Sequence, residues 1–549
     1  MPLRRMVITM MCCSLLSCRD SDVAGVDAAS RVTPRLLSAG AGNDLGVPRN
    51  ARAEEAILAR LSETSPSAAG MYFDSTGALV VRVRDAHEDA AAKGMARALL
   101  ASGAILGPGA RRHVGDVRVE RAKYTYRQLS EWRDVVFDTF FGRDLRITSL
   151  DLDERANRVV IGLSAAALNV ARAELLSKMR LSGVDTTAIS FVHEEIGTPD
   201  VSFLPPAQLT DQTSDPLAGG LAIDMDTNGN QQYAGTCTLG LAASRDGQLG
   251  LITNSHCTHE MFNPDVDRFY QRFSRHIATA SIDPTAYTCG VERCRGADAM
   301  FAASNGSVGM AVGKIMKTAA SNGGSYGGGF GTLVVDQSHP YFTVVGVADA
   351  LMGTRIEKMG ITSGWTWGNV AGTCVDGYIY KNGKINVIRC EDEADYVADE
   401  GDSGAPVFFI TYAGDGTEVV FLGIHSNREA VGSRARYSRQ SRIRSDLGGS
   451  WNMIGGQATL QASLTGPTNV VANISCPYQY LAGATGGSGG YSYAWSTSAN
   501  ILQNNGYYLY LGFPSEGTYS VSVTVTDSQG HTANAQLTAI ASASGTCVE

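Results

Sequence analysis

The stretch from residue 218 to about 455 limits the possible folds most, because helical periodicity is almost absent from it. Short runs rich in β-branched and aromatic residues, such as GQLGLITNS, YFTVVGVAD and EVVFLGIHS, alternate with glycine-rich turns. This pattern predicts an all-β barrel or sandwich. The run GGSYGGGFG at 323–331 lacks the strand–turn–helix setting of a nucleotide-binding loop and is interpreted as a surface loop.

The segments on either side of this stretch have different patterns, as a multidomain chain would show. Residues 46–196 alternate amphipathic helices with hairpins in an order that occurs twice, which predicts a duplicated α+β unit. The Pro-, Asp- and Thr-rich residues 197–217 predict an exposed linker that is open to proteolysis. Residues 460–549 show period-two alternation around Trp495, with Tyr519 at the place of a corner tyrosine. They resemble the Ig-like or PKD-like β-sandwich modules of secreted bacterial enzymes.

The N-terminus, MPLRRMVITMMCCSLLSCRD, predicts export. Two arginines precede an apolar run that is too short to span a membrane. The run ends in LLSC, which resembles a bacterial lipobox, so residues 1–18 are interpreted as a signal peptide with Cys18 as the lipidated residue. Residues 19–45 would then be a flexible tether. The alternative is plain secretion after cleavage near Ser17 or later. No basic tract indicates nucleic-acid binding.

The eight cysteines beyond residue 18 are an even number, which in an exported chain predicts disulfides. The simplest pairing is sequential: Cys237–Cys257, Cys289–Cys294, Cys374–Cys390 and Cys476–Cys547. Zinc is the rival interpretation, because Cys289 and Cys294 could join His256 and His259. However, the sequence has no CxxC pair or HExxH helix, so we predict neither a metal nor another cofactor.

Three motifs within the β-rich stretch carry possible chemistry. TNSHC contains His256, CRGADAMFA contains Asp298, and GDSGAPVFF contains Ser403. A serine hydroxyl is a weak nucleophile, so a serine enzyme needs an oriented base and an oxyanion site. The acid has competitors, namely Asp265, Asp267 and Asp283. The order His, Asp, Ser, and Ala405 in place of the last glycine of a GxSxG motif around Ser403, exclude an α/β hydrolase.

These motifs, together with KMGITSGWTWGNV (358–370) and FLGIHSN (421–427), resemble the chymotrypsin-fold serine proteases of the bacterial alpha-lytic protease and streptogrisin type. The resemblance covers about residues 218–450. It implies a double six-stranded β-barrel for residues 218–455 and a secreted serine endopeptidase acting on proteins or peptides. The alternative is a catalytically inactive protease fold that serves as a surface-binding protein.

The resemblance also implies roles for single residues. His256 is the general base, Asp298 orients it, and Ser403 is the nucleophile. The backbone N–H groups of Gly401 and Ser403 form the oxyanion hole. Asp402 pairs with a buried cation, for which Arg355, Arg389 and a new N-terminus remain open, and Ser426 either supports the acid or is a plain strand serine.

Substrate preference and precursor organisation are further implications of the resemblance. The primary pocket would include Val397, Ala398, His425 and Asn427, and since no acid stands six residues before Ser403, a small or apolar side chain is favoured over Arg or Lys. Ala405 replaces a family glycine, so we expect an altered rate. Residues 120–196 resemble a pro-region, so residues 46–196 are predicted to be one that acts as an intramolecular chaperone and inhibitor. An independent binding domain is the alternative.

Overall fold

The computed structural model describes residues 56–101, 117–144, 146–199, 214–226, 233–263, 267–271, 275–289, 292–323, 329–411, 416–428, 434–456, 460–485, 491–526 and 531–543. The predicted signal peptide, Cys18, the tether and Cys547 lie outside these ranges. Within them, no helix has both the length and the apolar character needed to cross a membrane.

Residues 56–199 contain the same strand arrangement twice. The helices are α1 (Ala56–Thr64), α2 (Asp89–Ala101), α3 (Tyr126–Thr139), α4 (Ala165–Leu168) and α5 (Arg172–Leu181). The strands are β1 (Ala68–Phe73), β2 (Leu79–Val83), β3 (Val117–Arg121), β4 (Ile147–Asp153), β5 (Arg158–Leu163), β6 (Ile189–His193) and β7 (Thr198–Pro199). The hairpin β1–β2 is followed by β3 parallel to β2, and the hairpin β4–β5 by β6 parallel to β5.

Local sequence explains how the second copy begins. Thr125 caps α3 by accepting a hydrogen bond from the backbone N–H of Gln128, and the Gln128 side chain accepts one from the backbone N–H of Thr125. This reciprocal capping box satisfies two donors that the first turn of a helix leaves open. Leu129, Val136 and Phe137, spaced to lie on one face of α3, are buried.

Residues 214–456 are almost entirely β-structure, as predicted. Their elements are β8 (Leu217–Gly219), β9 (Ala222–Asp226), β10 (Tyr233–Thr238), β11 (Leu241–Arg245), β12 (Gln248–Thr253), β13 (Arg268–Gln271), β14 (Arg275–Ile282), β15 (Tyr287–Cys289), β16 (Glu292–Arg295), β17 (Met300–Ser304), β18 (Met310–Met316), β19 (Asn322–Gly323), β20 (Tyr341–Val347), β21 (Arg355–Gly360), β22 (Gly364–Lys381), β23 (Lys384–Ala394), β24 (Pro406–Ile410), β25 (Glu418–Arg428), β26 (Ala435–Arg439), α6 (Gln440–Leu447) and β27 (Trp451–Asn452).

Two sheets organise this region, and their strand numbers differ from the expected six and six. One sheet has eight strands in the order β10-β9-β13-β14-β17-β12-β11-β27. The other has 16 strands, with the main path β15-β16-β23-β26-β25-β24-β21-β22 continuing into β4-β5-β6 of the N-terminal region. Three of its strands, β4, β5 and β6, join through the pairing of β4 with β22, in which Leu150 lies opposite Asp376 and Ser149 opposite Gly377.

The N-terminal region and the β-rich region share a hydrophobic core. Phe137, Phe141 and Leu150 belong to the same buried cluster as Tyr378 and Val387. The rings of Phe141 and Tyr378 are stacked with centroids 4.7 Å apart. The shared core therefore ties residues 56–199 to the strands β22 and β23.

Residues 460–543 form two four-stranded sheets. Their strands are β28 (Gln461–Thr465), β29 (Asn469–Val471), β30 (Tyr478–Thr485), β31 (Ser492–Thr497), β32 (Asn500–Asn504), β33 (Tyr508–Gly512), β34 (Gly517–Thr526) and β35 (Thr532–Ser542). The sheet orders are β28-β30-β33-β32 and β29-β35-β34-β31. The Tyr519 hydroxyl donates to the backbone oxygen of Ser515 at 2.9 Å. The Ig-like or PKD-like assignment stays a prediction.

Disulfides join three of the four predicted pairs, Cys237–Cys257, Cys289–Cys294 and Cys374–Cys390. Cys476 is also disulfide-bonded. Its predicted partner, Cys547, lies outside the described residues, so that pairing stays a prediction. Disulfides persist in oxidising compartments, which is consistent with an exported protein.

Candidate active site

Ser403, His256 and Asp298 form a hydrogen-bonded line between the two sheets. His256 lies in the short 3-10 turn Ser255–Cys257 after β12, and Ser403 lies just before β24. His256 Nε2 is 2.7 Å from Ser403 Oγ, and His256 Nδ1 is 2.5 Å from Asp298 Oδ2. All three residues are fully buried. The imidazole therefore bridges a hydroxyl and a carboxylate, in the geometry that activates a serine.

The competing acids hold other positions. Asp283 accepts from the Ser255 hydroxyl at 2.7 Å and pairs with Arg295 at 2.8 Å. Asp267 accepts from the backbone N–H of His259 at 2.5 Å, and Asp265 lies outside the described residues. Asp298 is thus the one described candidate that contacts the His256 ring.

The surroundings of Asp298 include two residues that sequence reasoning missed, Ser438 and Glu391. The backbone N–H of Asp298 donates to Ser438 Oγ at 2.9 Å, and Ser438 Oγ is 3.1 Å from Glu391 Oε1. Burial raises the pKa of Glu391 to about 8, with the negative charge of Asp298 adding to the shift against a lowering hydrogen bond from Ser426.

Ser426 does not lie where the resemblance implied. Its hydroxyl donates to Glu391 at 2.6 Å, and the serine hydroxyl that accepts from the backbone N–H of Asp298 is that of Ser438. The backbone oxygen of Ser426 is 3.4 Å from Ser403 Oγ. Ser426 therefore faces Ser403 with its carbonyl, while its side chain belongs to the buried hydrogen-bond network around Glu391. Nothing in the sequence around Ser438 marks it as the partner of a residue 140 positions earlier.

The turn that carries Ser403 requires glycine. Gly401 and Gly404 have φ angles of +101° and +86°, a region that residues with a Cβ rarely adopt. A Cβ on Gly404 would also lie 2.2 Å from the backbone oxygen of Thr238 and 2.3 Å from Thr253 Oγ1. The glycines in the GDSG motif are thus explained by backbone conformation and by close packing against β10.

Two backbone N–H groups of this turn have no acceptor among the described residues, those of Gly401 and Ser403. The neighbouring N–H groups of Asp402, Gly404 and Ala405 each donate to a carbonyl oxygen. Thr238 fixes the turn from the side, since its hydroxyl donates to the Gly401 oxygen at 2.8 Å and its N–H to the Ser403 oxygen at 2.7 Å. The arrangement leaves the two N–H groups to stabilise a negative oxygen beside Ser403.

Asp402 pairs with Lys358, a partner that the sequence analysis did not consider. Lys358 Nζ is 2.6 Å from Asp402 Oδ2, and both side chains are fully buried. Asp402 also accepts from the backbone N–H groups of Thr362, Ser363 and Asp399 at 3.0, 3.2 and 3.1 Å. Burial raises the pKa of Asp402, but the charge of Lys358 and these hydrogen bonds outweigh it and hold the pKa below its usual value.

This pairing corrects the candidates for the buried cation. Arg355 pairs instead with Glu357 at 3.0 Å, and Arg389 with Asp376 at 2.9 Å. Lys358 lies on β21, and its charge needs no cleavage of the chain to reach the carboxylate. The ion pair therefore stabilises the turn that carries Ser403 (the nucleophile turn of the proposal below) without cleavage of the chain.

The predicted pocket residues make contacts within the β-rich region. The backbone oxygen of Val397 accepts from the Thr366 hydroxyl at 2.8 Å, and Ala398 is half-buried. His425 is fully buried, with Nδ1 3.1 Å from the Tyr396 hydroxyl. Asn427 is buried and donates to Ser426 Oγ at 3.0 Å.

The side chains around His256 offer few atoms that could bind a metal ion. Within the described part of the chain, one cluster offers three potential metal-binding side chains, and it consists of Cys237, His256 and Cys257. Its two cysteines are joined in a disulfide, so neither offers a thiolate. The rival zinc pair, Cys289 and Cys294, is also disulfide-bonded.

No protein-family model and no curated protein matches the chain. Solved structures do. Thermobifida fusca Protease A is 15% identical, with 44% of this chain and all of that chain covered and a TM-score of 0.30. A glutamic acid-specific serine protease is 17% identical, with 42% and 96% covered and a TM-score of 0.29. Nocardiopsis protease is 16% identical, with 44% and 99% covered and a TM-score of 0.28. These solved serine and other protease structures are similar to the chain over 42–44% of its length.

Proposed function

We propose that this protein is an exported serine endopeptidase that hydrolyses peptide bonds through an acyl-enzyme. The observation that carries the proposal is the line Ser403–His256–Asp298, with contacts of 2.7 and 2.5 Å. A buried serine hydroxyl bonded to an imidazole that is itself bonded to a carboxylate can lose its proton during attack on a carbonyl. The exported state agrees with the disulfides.

Each group has one role in this mechanism. Ser403 Oγ attacks the substrate carbonyl, and His256 Nε2 takes the hydroxyl proton and then gives it to the leaving amine. Asp298 holds the proton on Nδ1 and stabilises the imidazolium. The N–H groups of Gly401 and Ser403 bind the oxyanion, and each such donor lowers the barrier by roughly 3–4 kcal/mol. Water then repeats the sequence on the acyl-enzyme.

The N-terminal region is proposed to be the pro-region of this enzyme. Two contacts support this role. Arg133 of α3 forms a buried ion pair with Asp376 of β22 at 2.8 Å, and β7 pairs antiparallel with β25, the strand that contains Ser426. Through the first contact, residues 56–199 would guide the folding of the β22–β23 hairpin. Through the second contact, they cover β25, whose Ser426 contacts Ser403. A precursor built this way folds around its N-terminal region and is blocked by it.

A serine-directed fluorophosphonate probe tests the enzymatic proposal. We expect the processed protein to be labelled, and Ser403→Ala to lose the label completely. Ser338→Ala, on the exposed surface, is the matched control and should be labelled like the wild type. Absence of labelling in folded, processed wild-type protein would favour the alternative of an inactive, surface-binding protease fold.

The pro-region proposal has its own test. Arg133→Ala in the full chain leaves Asp376 with Arg389 as its remaining ion-pair partner. Because a buried carboxylate loses one of its two cations, we expect a several-fold lower yield of active enzyme with an unchanged kcat for the enzyme that does mature. A yield equal to that of the wild type would argue that residues 56–199 are an independent binding domain.

A further inference from the structure

A cavity of about 220 Å³ is lined by the end of the β22–β23 hairpin, by β16 and by the segment that follows His256. The strands contribute Arg293, Lys381, Lys384 and Asn386, and the segment contributes His259 and Glu260. None of these residues takes part in the proposed mechanism. Pockets for drug-sized ligands begin at roughly 300 Å³, so a cavity of this volume suits a smaller ligand.

Strand register places the polar side chains of the lining on one face of the sheet. Asn386 of β23 lies opposite Arg293 of β16 and opposite Ile379 of β22. Side chains of directly paired residues share a face, and so do residues two apart along a strand. Lys384 and Lys381, which pair with each other, therefore lie on this face as well. Three cationic side chains and one amide thus project from the same side of the sheet.

The segment after His256 covers the apolar part of this face. Met261 belongs to the same buried cluster as Ile379 and Ile388. At the hairpin turn, the Asn382 side chain donates to the backbone oxygen of His259 at 2.7 Å. The segment is therefore fixed to the sheet at two places, by apolar packing and by a hydrogen bond, and the cationic part of the face lines the cavity.

The cations of the lining outnumber the acids that neutralise them. Lys384 forms an exposed ion pair with Glu260. In the part of the chain that the structure describes, no acid forms an ion pair with Lys381 or Arg293. Arg293 instead donates to the backbone oxygen of Met261 at 3.3 Å. The cavity therefore carries a net positive charge, which favours an anionic ligand.

Lys381 shows the effect of the missing counter-ion. Burial lowers the pKa of its ammonium group, and the charges of Asp298 and Asp267 only partly offset this effect. An anion bound in the cavity would stabilise the charged form of the lysine. The electrostatic interaction of Lys381 with Asp298 also shows that the cavity lies close enough to influence the acid bonded to His256.

Asn386 adds a hydrogen-bond acceptor to this cationic lining. The residue is 1% exposed, and its Oδ1 is buried without a hydrogen-bond partner among the described residues. Buried acceptors in native proteins are nearly always paired, because an unpaired one has lost its contact with water. The ligand that fits the cavity is therefore an anion that also carries an O–H group. Near neutral pH, phosphate keeps one O–H group, whereas sulfate keeps none.

We propose that this cavity is a binding site for inorganic phosphate, in which Lys381 and Arg293 hold the oxyanion and Asn386 Oδ1 accepts from its O–H group. The guanidinium group of arginine offers a planar fork of N–H donors that matches phosphate oxygens, and lysine adds a compact charge. Because the bound ion would link β16 to the β22–β23 hairpin, its binding should stabilise the folded protein.

Isothermal titration calorimetry in a phosphate-free buffer tests the proposal, with the full chain in a Ser403→Ala background. We expect saturable phosphate binding with a Kd of about 1 mM or lower, and a thermal unfolding midpoint that rises with phosphate concentration. Lys381→Gln and Arg293→Gln should each weaken binding by about 10-fold or more, since each removes a charge-assisted hydrogen bond. Arg275→Gln, which removes an arginine from an exposed ion pair with Asp215, is the matched control and should bind phosphate like the Ser403→Ala parent.

Sulfate tests the role given to Asn386. Because sulfate has no O–H group near neutral pH, it should bind about 10-fold more weakly than phosphate. In Asn386→Leu, a side chain of similar size replaces an acceptor that has no partner, so the fold should be retained and the two ions should bind with similar affinity. Glycerol 3-phosphate separates free phosphate from a phosphomonoester, whose dianion has no O–H on phosphorus, and it should also bind more weakly.

Several results would overturn the inference. Folded protein that shows no saturable phosphate binding would do so, and so would Arg275→Gln weakening the binding as much as Lys381→Gln, which would indicate a general effect of charge. Sulfate or glycerol 3-phosphate binding as tightly as phosphate would overturn the assignment to the free ion. None of these measurements requires catalysis by Ser403, so the proposed function is tested separately.

Discussion

Removal of the Lys358 ammonium, with Asp402 left in place, gives the sharpest test of how the nucleophile turn is held. Both side chains are fully buried, with 2.6 Å between Nζ and Oδ2. Breaking a buried ion pair on one side costs about 3–5 kcal/mol of unfolding free energy, because the remaining charge has no counter-ion. For Lys358→Met we expect a loss of this size, which is a large share of a typical total of about 5–15 kcal/mol.

The assay is urea unfolding of the full chain in a Ser403→Ala background, so that self-cleavage does not interfere. Lys384→Met is the matched control, because its pair with Glu260 is exposed, with 50% and 40% of the side chains accessible. An exposed pair contributes at most about 1 kcal/mol. The double variant Lys358→Met/Asp402→Asn removes the stranded charge and should recover most of the stability.

The pH dependence follows from the lowered pKa of Asp402. A carboxyl whose folded pKa is depressed stabilises the fold above its unfolded pKa of about 4 and loses that contribution as the pH falls through the folded value. The difference in unfolding free energy between the wild type and Lys358→Met should therefore become smaller in acid. A loss below 1 kcal/mol for the single variant, or a double variant as unstable as the single one, would refute the reasoning.

Three further predictions concern the turn and the interface with the N-terminal region. Thr238→Val removes the hydroxyl that holds the Gly401 oxygen at 2.8 Å, so kcat should fall by about 10-fold with little change in KM, as steady-state kinetics would show. Gly404→Ala should abolish labelling by the fluorophosphonate, because its Cβ would overlap the Thr238 oxygen; labelling at the wild-type rate would contradict this. Burial raises the pKa of Asp151 to about 8, with the charge of Glu393 adding to it, so the N-terminal region should bind the enzyme more weakly as the pH rises from about 4 to about 8. Asp151→Asn should reduce this pH dependence of binding, measured as inhibition of the enzyme by the N-terminal region. A pH dependence equal to that of the wild type would contradict the role given to Asp151.

The sequence by itself determined much of the architecture. The loss of helical periodicity beyond residue 218 predicted β-structure, since that signal depends only on neighbours along the chain. The order of His256, Asp298 and Ser403 named the residues that the structure brings into one hydrogen-bonded line. Short motifs sufficed here because each of these three side chains has a local context of turn residues and strand residues.

The tertiary structure decided the partners that are remote in sequence. Lys358 reaches Asp402 because β21 and β24 pair, and the residue itself lies in an ordinary strand segment. Ser438 of β26 accepts from the backbone N–H of Asp298, whereas Ser426 of β25 donates to Glu391, a difference that depends on side-chain direction across the sheet. The register of β7 on β25 likewise exists only once residues about 230 positions apart are paired. The local sequence pattern determines which residues can take part in the chemistry, and tertiary packing determines which atoms those residues contact.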